Sequence, residues 1–540
     1  MTESEPDIAR PSRARRIRFR LGVALGLLLV VLAGLWLARK PVAEHFIDDA
    51  LSQAKVPARY TIEDLALGHQ RLTDIVIGDP AHPDLVADWV EVQTSVDFGG
   101  AHVTGVRAGH VRTRARIVDG ALSLGALDRL IPKSAGGAFR LPAIQLDLQD
   151  GRMRLEAPQG VVGLKASGSG RLDGGFQGQV AAISARIASG ACAADKAVAA
   201  LRIDIRSDAI HLRGPVRAGE AACNGNGATR FRADIDAAVA QTFDRWNGHA
   251  NLVADRVTAP SLKAEAIAGS LGFAGTARGI EGSVRLTADR LTGGGIAGRA
   301  AVIDGAYRYA DAKSVFTGKG QLGRAALPDA IRANFRSWGS SGAGTPIAPL
   351  AAQLARAVDD AGREFALSAE LSAATDGGRG AVKLSRLLAV ADSGASVTLT
   401  SRDGTQIVWP NGGVIVRGDL VAGGGGLPDL SAHLDQQRAG APITGTATME
   451  PYEAGGARLA LAPVRFSAGL DGRTRIESEV TLSGPLAGGA VDGLRVPLLA
   501  QWNGRGDLAV NPACAPVAIA RLRLSGLEAR EFRTQLCPVD

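Results

Sequence analysis

The residues that could do chemistry are scattered along this chain. Eight histidines stand at His45, His69, His82, His102, His110, His211, His249 and His433, none in HExxH or another dense metal-ligand spacing. Metal or general-base chemistry needs several such groups converging; several of these fall at solvent-facing or turn positions, and a structural role is expected for each. GxGxxG occurs at Gly318–Gly323, after the strand-like run 314–317 and before a helical stretch, and again at Gly293–Gly298. Such glycines cradle a pyrophosphate inside a βαβ unit. The flanking pattern here is antiparallel, and with Gly at 69 of 540 residues chance matches are expected. The carboxylate pairs Asp48-Asp49 and Asp359-Asp360 fall on polar helix faces and read as solvated charge. There is no GxSxG elbow and no P-loop. No nucleophile–base set can be assembled, so the expectation is a protein that is not an enzyme and uses neither cofactor nor metal. Cys192, Cys223, Cys514 and Cys537 form two local pairs without CxxC spacing. In an oxidising compartment they suggest two loop-closing disulfides; unpaired buried thiols are the alternative.

The elements that would position any site begin with an apolar run. Leu21–Ala38, LGVALGLLLVVLAGLWLA, carries no charge and is about the minimum length for a membrane-crossing helix. Arg10, Arg13, Arg15, Arg16, Arg18 and Arg20 precede it. The positive-inside rule then puts residues 1–20 in the cytoplasm and the body across the membrane. Trp36, Arg39 and Lys40 argue against a cleavage site, so we read a signal anchor on Leu21, Leu28 and Trp36; a cleaved signal peptide is the rival. The net charge is +7, and residues 1–40 hold eight Lys/Arg against three Asp/Glu, so the body carries about +2. Without a basic stripe in the body, no nucleic-acid partner is expected.

Beyond the anchor the organisation reads as follows. Residues 42–54 fit a short amphipathic helix that caps the first strands or lies on lipid. Residues 55–324 form a first β-segment, 325–363 a helical pair, and 364–540 a second β-segment. Strand signals are period-two alternations. Leu201, Ile203 and Ile205 alternate with Arg202, Asp204 and Arg206, and the pattern recurs at Val284 and Leu286 and at Ile476, Val480 and Leu482. Thirteen Asp-Gly and Asn-Gly dipeptides lie between such runs, and read as hairpin turns of one long antiparallel meander of short strands. Aromatics are 4%, and the inward positions are aliphatic or Gly. The expected fold is mainly β, a long curved antiparallel meander with an open hydrophobic groove lined by those eight aliphatics. A string of β-sandwiches with dry cores fits the same pattern. The helical pair, with Thr345 as N-cap, Pro346 at the first helical position and Gly362 closing, either lids the inner face or packs plainly on the sheet.

Residues 36–132 resemble the N-terminal part of YdbH-like proteins of Gram-negative bacteria. The likeness rests on WLARKPVAEHFIDDAL, Ile77-Gly78-Asp79-Pro80, Pro83-Asp84-Leu85, Ala87-Asp88-Trp89-Val90-Glu91-Val92 and Val118 to Gly125. These belong with the AsmA-like and TamB-like β-groove proteins. The resemblance implies phospholipid transfer between inner and outer membranes, with acyl chains as ligand, the inner membrane as anchor and a small outer-membrane lipoprotein as partner. A non-transport envelope scaffold is the alternative function. An older family label, dicarboxylate transport, finds no cationic cluster in an apolar setting in this sequence.

Overall fold

The computed structural model describes residues 48–537, apart from 50, 67, 98–99, 119–120, 130–140, 294, 377, 411, 470 and 504–507. The expected arm 1–20, the span Leu21–Ala38 with Leu21, Leu28 and Trp36, and much of 42–54 lie outside the described residues. Residues 48–49 and 51–53 are helical, and Tyr60 Oη donates to Asp48 Oδ1 at 2.7 Å. Among the described residues no helix is long and apolar enough to cross a membrane.

The alternating runs do fold as strands, 32 of them among the described residues. They are longer than expected. Ala209–Cys223, Asn226–Ala240, Arg245–Ala259, Leu262–Thr276, Gly279–Gly293 and Ile296–Ala310 each have 15 residues, which is about 50 Å of strand. The reason is that several supposed turn dipeptides lie inside strands. Asn224-Gly225 does close a hairpin, with φ of 50° and 80°. Asp304-Gly305 and Asn247-Gly248 instead sit mid-strand, where the missing side chain makes room for a ring. A Cβ on Gly305 or on its cross-strand partner Gly318 would stand 2.7 Å from Phe316 Cζ, and one on Gly248 2.9 Å from Phe273 Cζ. The GxGxxG at Gly318–Gly323 therefore lies within the strand Lys313–Ala326, and Gly293–Gly298 spans a hairpin.

The chain forms two compact units. The first takes the chain through Ile187 together with Ala197–Leu212; the second takes Ala188–Lys196 and everything from Arg213. In the first, Ala58–Ala66, His69–Asp79, His82–Asp97 and Gly100–Gly109 pair antiparallel in order. The pure antiparallel expectation then fails. Gln145–Ala157 runs parallel to both Gly100–Gly109 and Arg112–Val118. A parallel pair needs a crossover of a dozen or more residues, which the chain from Val118 to Gln145 supplies. Its 3₁₀ turn, Gly125–Arg129, is pinned: Ala126 N–H donates to Asp84 Oδ2 at 2.9 Å, and Arg129 Nη1 to Lys55 O at 2.6 Å. Gly160–Arg171 and Phe176–Ser189 then continue antiparallel.

In the second unit, strands from Asn226–Ala240 to Ser396–Trp409 pair antiparallel, each with the next. Two helices, α1 (Asp329–Trp338) and α2 (Ile347–Arg363), lie between Lys313–Ala326 and Phe365–Asp376, which pair directly. Pro346 is the N-cap, and Thr345 Oγ1 accepts from Ile347 N–H at 3.3 Å. Gly362 is buried inside α2, which Glu364 closes. Leu350 of α2 packs on Leu482 and Ala457, beside Val480 and Leu459. None of α1's residues is buried; it is held to α2 through Asp359. This carboxylate, expected to be solvated, is 5% exposed and faces Arg363 (2.8 Å), Arg336 (3.2 Å) and Arg332 (3.3 Å). The period of α2 places Asp359 on a polar stripe, but α1 folds over that stripe and removes it from water. The Arg363 hydrogen bond holds the carboxyl below its ordinary value, outweighing burial, and Arg336 and Arg332 add to it.

Candidate functional site

Register sorts the second unit's residues onto two faces. On one face, Leu271, Val284, Gly305, Gly318, Leu371 and Leu384 lie directly side by side on successive strands. Two residues along, Leu252, Gly269, Leu286, Ile303, Gly320, Ala369 and Leu387 make the next row. The row after that is Ala254, Ile267, Ala288, Ala301, Leu322, Leu367 and Ala389, and most of it belongs to the buried core with Ala325 and Phe365. Burial falls off across these rows. Leu322 is 6% exposed, Val284, Leu286 and Ile303 are partly buried, and Ile407 and Tyr309, on the far rows of the same face, are 54% and 49% exposed. A dry sandwich would bury the whole face. Here an aliphatic surface is closed along one margin and open along the other.

Of the eight aliphatics singled out in the sequence, Val284 and Leu286 sit in two adjacent rows of this surface. Ile476 pairs with Phe466 and Ala500, and Val480 with Leu461 and Val496. Leu482 is covered by Leu350 of α2 rather than open. In the first unit Leu201 and Ile203 are partly buried, while Ile205 is buried with Phe176 and Ile210. Arg202 and Glu479 are exposed. Cys192 is bonded to Cys223 and Cys514 to Cys537, with Cα atoms 4.0 and 3.9 Å apart.

The opposite face is charged, and register pairs its charges. Arg285, Asp304, Lys319, Glu370 and Arg386 form a lateral row of alternating sign, with Arg285–Asp304 at 3.0 Å and Lys319–Glu370 at 3.5 Å. Asp64, Arg71, Glu91, Arg107 and Asp147 do the same in the first unit. Each such cross-strand pair is worth a few tenths of a kcal/mol to about 1, which fixes register more than stability. Glu91 is buried at 6% exposure beside His69 (3.0 Å) and Arg107 (3.3 Å). Burial pushes its carboxyl up, but hydrogen bonds from His69 and Arg107 outweigh that and leave it below its ordinary value.

A cluster of cations in the first unit breaks this pattern, and the sequence does not reveal it. The parallel pairing sets Arg112 beside Arg152 and Arg114 beside Arg154; Lys165 and Gly163 follow on the next strand, then Ala181 and Ile183. Five cations thus share an apolar setting, contrary to the expectation that none would. They come from strands separated by the crossover, so no local pattern marks them.

Among the described residues no group of three or more His, Cys, Asp and Glu side chains could hold a metal. A family model described as YdbH-like, intermembrane phospholipid transport protein YdbH, matches residues 27–534. No curated protein matches, and no solved structure does.

Proposed function

The chain belongs to the YdbH-like family, and from that membership we propose that it moves phospholipid between inner and outer membranes by seating acyl chains on its open aliphatic face. The carrying observation is the burial gradient from Leu322 to Ile407 across one face of the sheet. Such a surface costs free energy in water unless covered. An acyl chain laid along it gains about 0.8 kcal/mol per buried CH₂. Glycines beneath Phe316 and Phe273 let those rings lie close to the backbone, which keeps the surface smooth. In this reading Leu21–Ala38 anchors the chain in the inner membrane with the body in the periplasm, and the face acts as a hydrophobic groove. No step of it needs bond-making chemistry.

The scaffold reading draws support from a different observation. Strand Leu527–Leu536 is exposed along its whole length and pairs with Ala515–Leu524 on one side. Among the described residues no other strand pairs with it, and an edge of this kind can receive a strand, which suits the small lipoprotein partner as well as a scaffold.

Photo-crosslinkers at Ile203, Leu286 and Val480 should capture phospholipid in cells, and ones at Arg202 and Glu479 should not. Equal capture at both sets, or none at either, rejects the transfer reading.

A further inference from the structure

The arginine cluster of the first unit lines an open concavity of about 840 Å³. Two rows of the charged face line it, Arg112, Arg152, Lys165 and Ala181 in one and Arg114, Arg154, Gly163 and Ile183 in the next; Arg116, Glu156 and Val161 form the row beyond them. Like charges set directly opposite one another on neighbouring strands repel, so two adjacent Arg–Arg pairs are an electrostatic cost to the fold. Counter-charge is short. Asp150 takes Arg152 (3.1 Å) and Lys165 (3.0 Å), and Glu156 takes Arg154 (3.0 Å) and Arg116 (3.5 Å). No acidic side chain among the described residues pairs with Arg112 or Arg114. A second like-charge row, Arg290, Arg299 and Arg324, is flanked by Glu265 and Glu364, which pair with Arg290 and Arg324.

The cations are also not set in a polar surface. Ile183 is 62% exposed, Val198 42% and Val161 41%. Ile183 leans over Gly163, where a Cβ would meet its Cγ2 at 3.3 Å. Elsewhere this face carries ion-pair ladders. Here Ile183 and Val198 share one concavity with Arg112 and Arg114, which lack acidic partners among the described residues. An inorganic anion or a soluble diacid would satisfy the charge and leave the aliphatics in water. An amphiphile satisfies both: its phosphate takes the arginine forks, and its glycerol and upper acyl carbons cover Ile183 and Val198. The unit is the first to follow the apolar run Leu21–Ala38, so a bilayer surface is the nearest supply of anionic amphiphile.

We propose that this concavity docks the first unit onto the membrane by binding anionic phospholipid headgroups at the bilayer surface. The site lies on the charged face of the first unit and uses none of the residues assigned to acyl chains. It relies on the transport reading only for the membrane being at hand.

The test uses the full chain reconstituted in nanodiscs, with a photo-crosslinker at Ile183. Capture of lipid should be strong with phosphatidylglycerol present and near background in pure phosphatidylcholine. Arg112→Gln with Arg114→Gln should weaken capture roughly thirty-fold, at about 1 kcal/mol per charge near an anionic surface. Arg285→Gln with Arg308→Gln, on the charged face of the second unit, should leave it unchanged. If the double substitution impairs folding by circular dichroism, Val198→Asp at an exposed position reads the same contact and should also lower capture. Capture that ignores headgroup charge, or survives loss of Arg112 and Arg114, overturns the proposal. So does competition by millimolar inorganic phosphate or succinate equal to that of the lipid, which would make this a soluble-anion site. Capture at Ile183 without capture at Ile203 would keep this site and reject the groove; the reverse would keep the groove and reject this site.

Discussion

Aspartate placed at two positions of the same face should separate an open surface from a dry core. Leu322 is 6% exposed and packed in the cluster of Ala301, Ala325 and Phe365. Truncating such a leucine costs about 3–5 kcal/mol. Aspartate there adds an unpaired buried carboxylate, several kcal/mol more. Leu286 lies one row away, partly buried, with Ile303 and Gly269 beside it. A Cβ on Gly269 would meet Leu286 Cδ2 at 2.9 Å, so the leucine lies over a glycine, and it is only partly buried. Leu286→Asp should forfeit about half the burial of a leucine, roughly 1–1.5 kcal/mol, while its carboxylate stays in water. With a urea dependence of about 3 kcal/mol per M, the midpoint should fall by less than ~0.5 M for Leu286→Asp and by well over 1 M for Leu322→Asp. Circular dichroism in urea reads both, and lipid capture at Val480 should drop for the folded Leu286→Asp protein. If the two substitutions lower the midpoint equally, the face is covered and the acyl-chain path as drawn here is wrong.

Three further outcomes follow from named contacts. Phe316→Ala should destabilise by about 3 kcal/mol and Gly305→Ala by about 1–3. Together they should cost somewhat less than their sum, because a Cβ on Gly305 meets the Thr317 carbonyl oxygen at 2.5 Å as well as the ring, and losing the ring relieves only the second clash, as a double-mutant denaturation cycle would reveal. Asp359→Asn should loosen α1 at neutral pH, seen as faster proteolysis between Trp338 and Thr345. Because the Asp359 carboxyl is held below its ordinary value, the clamp is complete above the unfolded carboxylate range and is lost as pH falls through the depressed folded value. The native protein should therefore show the same cleavage only in acid, and none on raising the pH. Reducing the Cys192–Cys223 bond, which closes a separation of 31 residues, should lower the stability of the second unit by about 4 kcal/mol at most, measured as the change in its urea midpoint with and without reductant.

The sequence by itself determined the strands, because alternation is local. Leu201, Ile203 and Ile205 against Arg202 and Asp204 can lie only on opposite faces of an extended chain. It also determined the helical pair, since the stripe Ile347, Leu350, Ala351, Leu354 and Ala355 with Pro346 before it suits nothing else. What register joins was not legible. Asp304-Gly305 carries the same signal as Asn224-Gly225, yet one closes a turn and the other lies beside Gly318 under Phe316. Which it does depends on the neighbouring strand. Asp359 has the spacing of a solvated residue until α1 folds over it. Arg112 and Arg152 are forty positions apart and meet through a parallel crossover that leaves no periodic trace. Local side-chain geometry specified which face each residue takes; the tertiary pairing decided which residues share it, because strand register is set by contacts between segments distant in the chain.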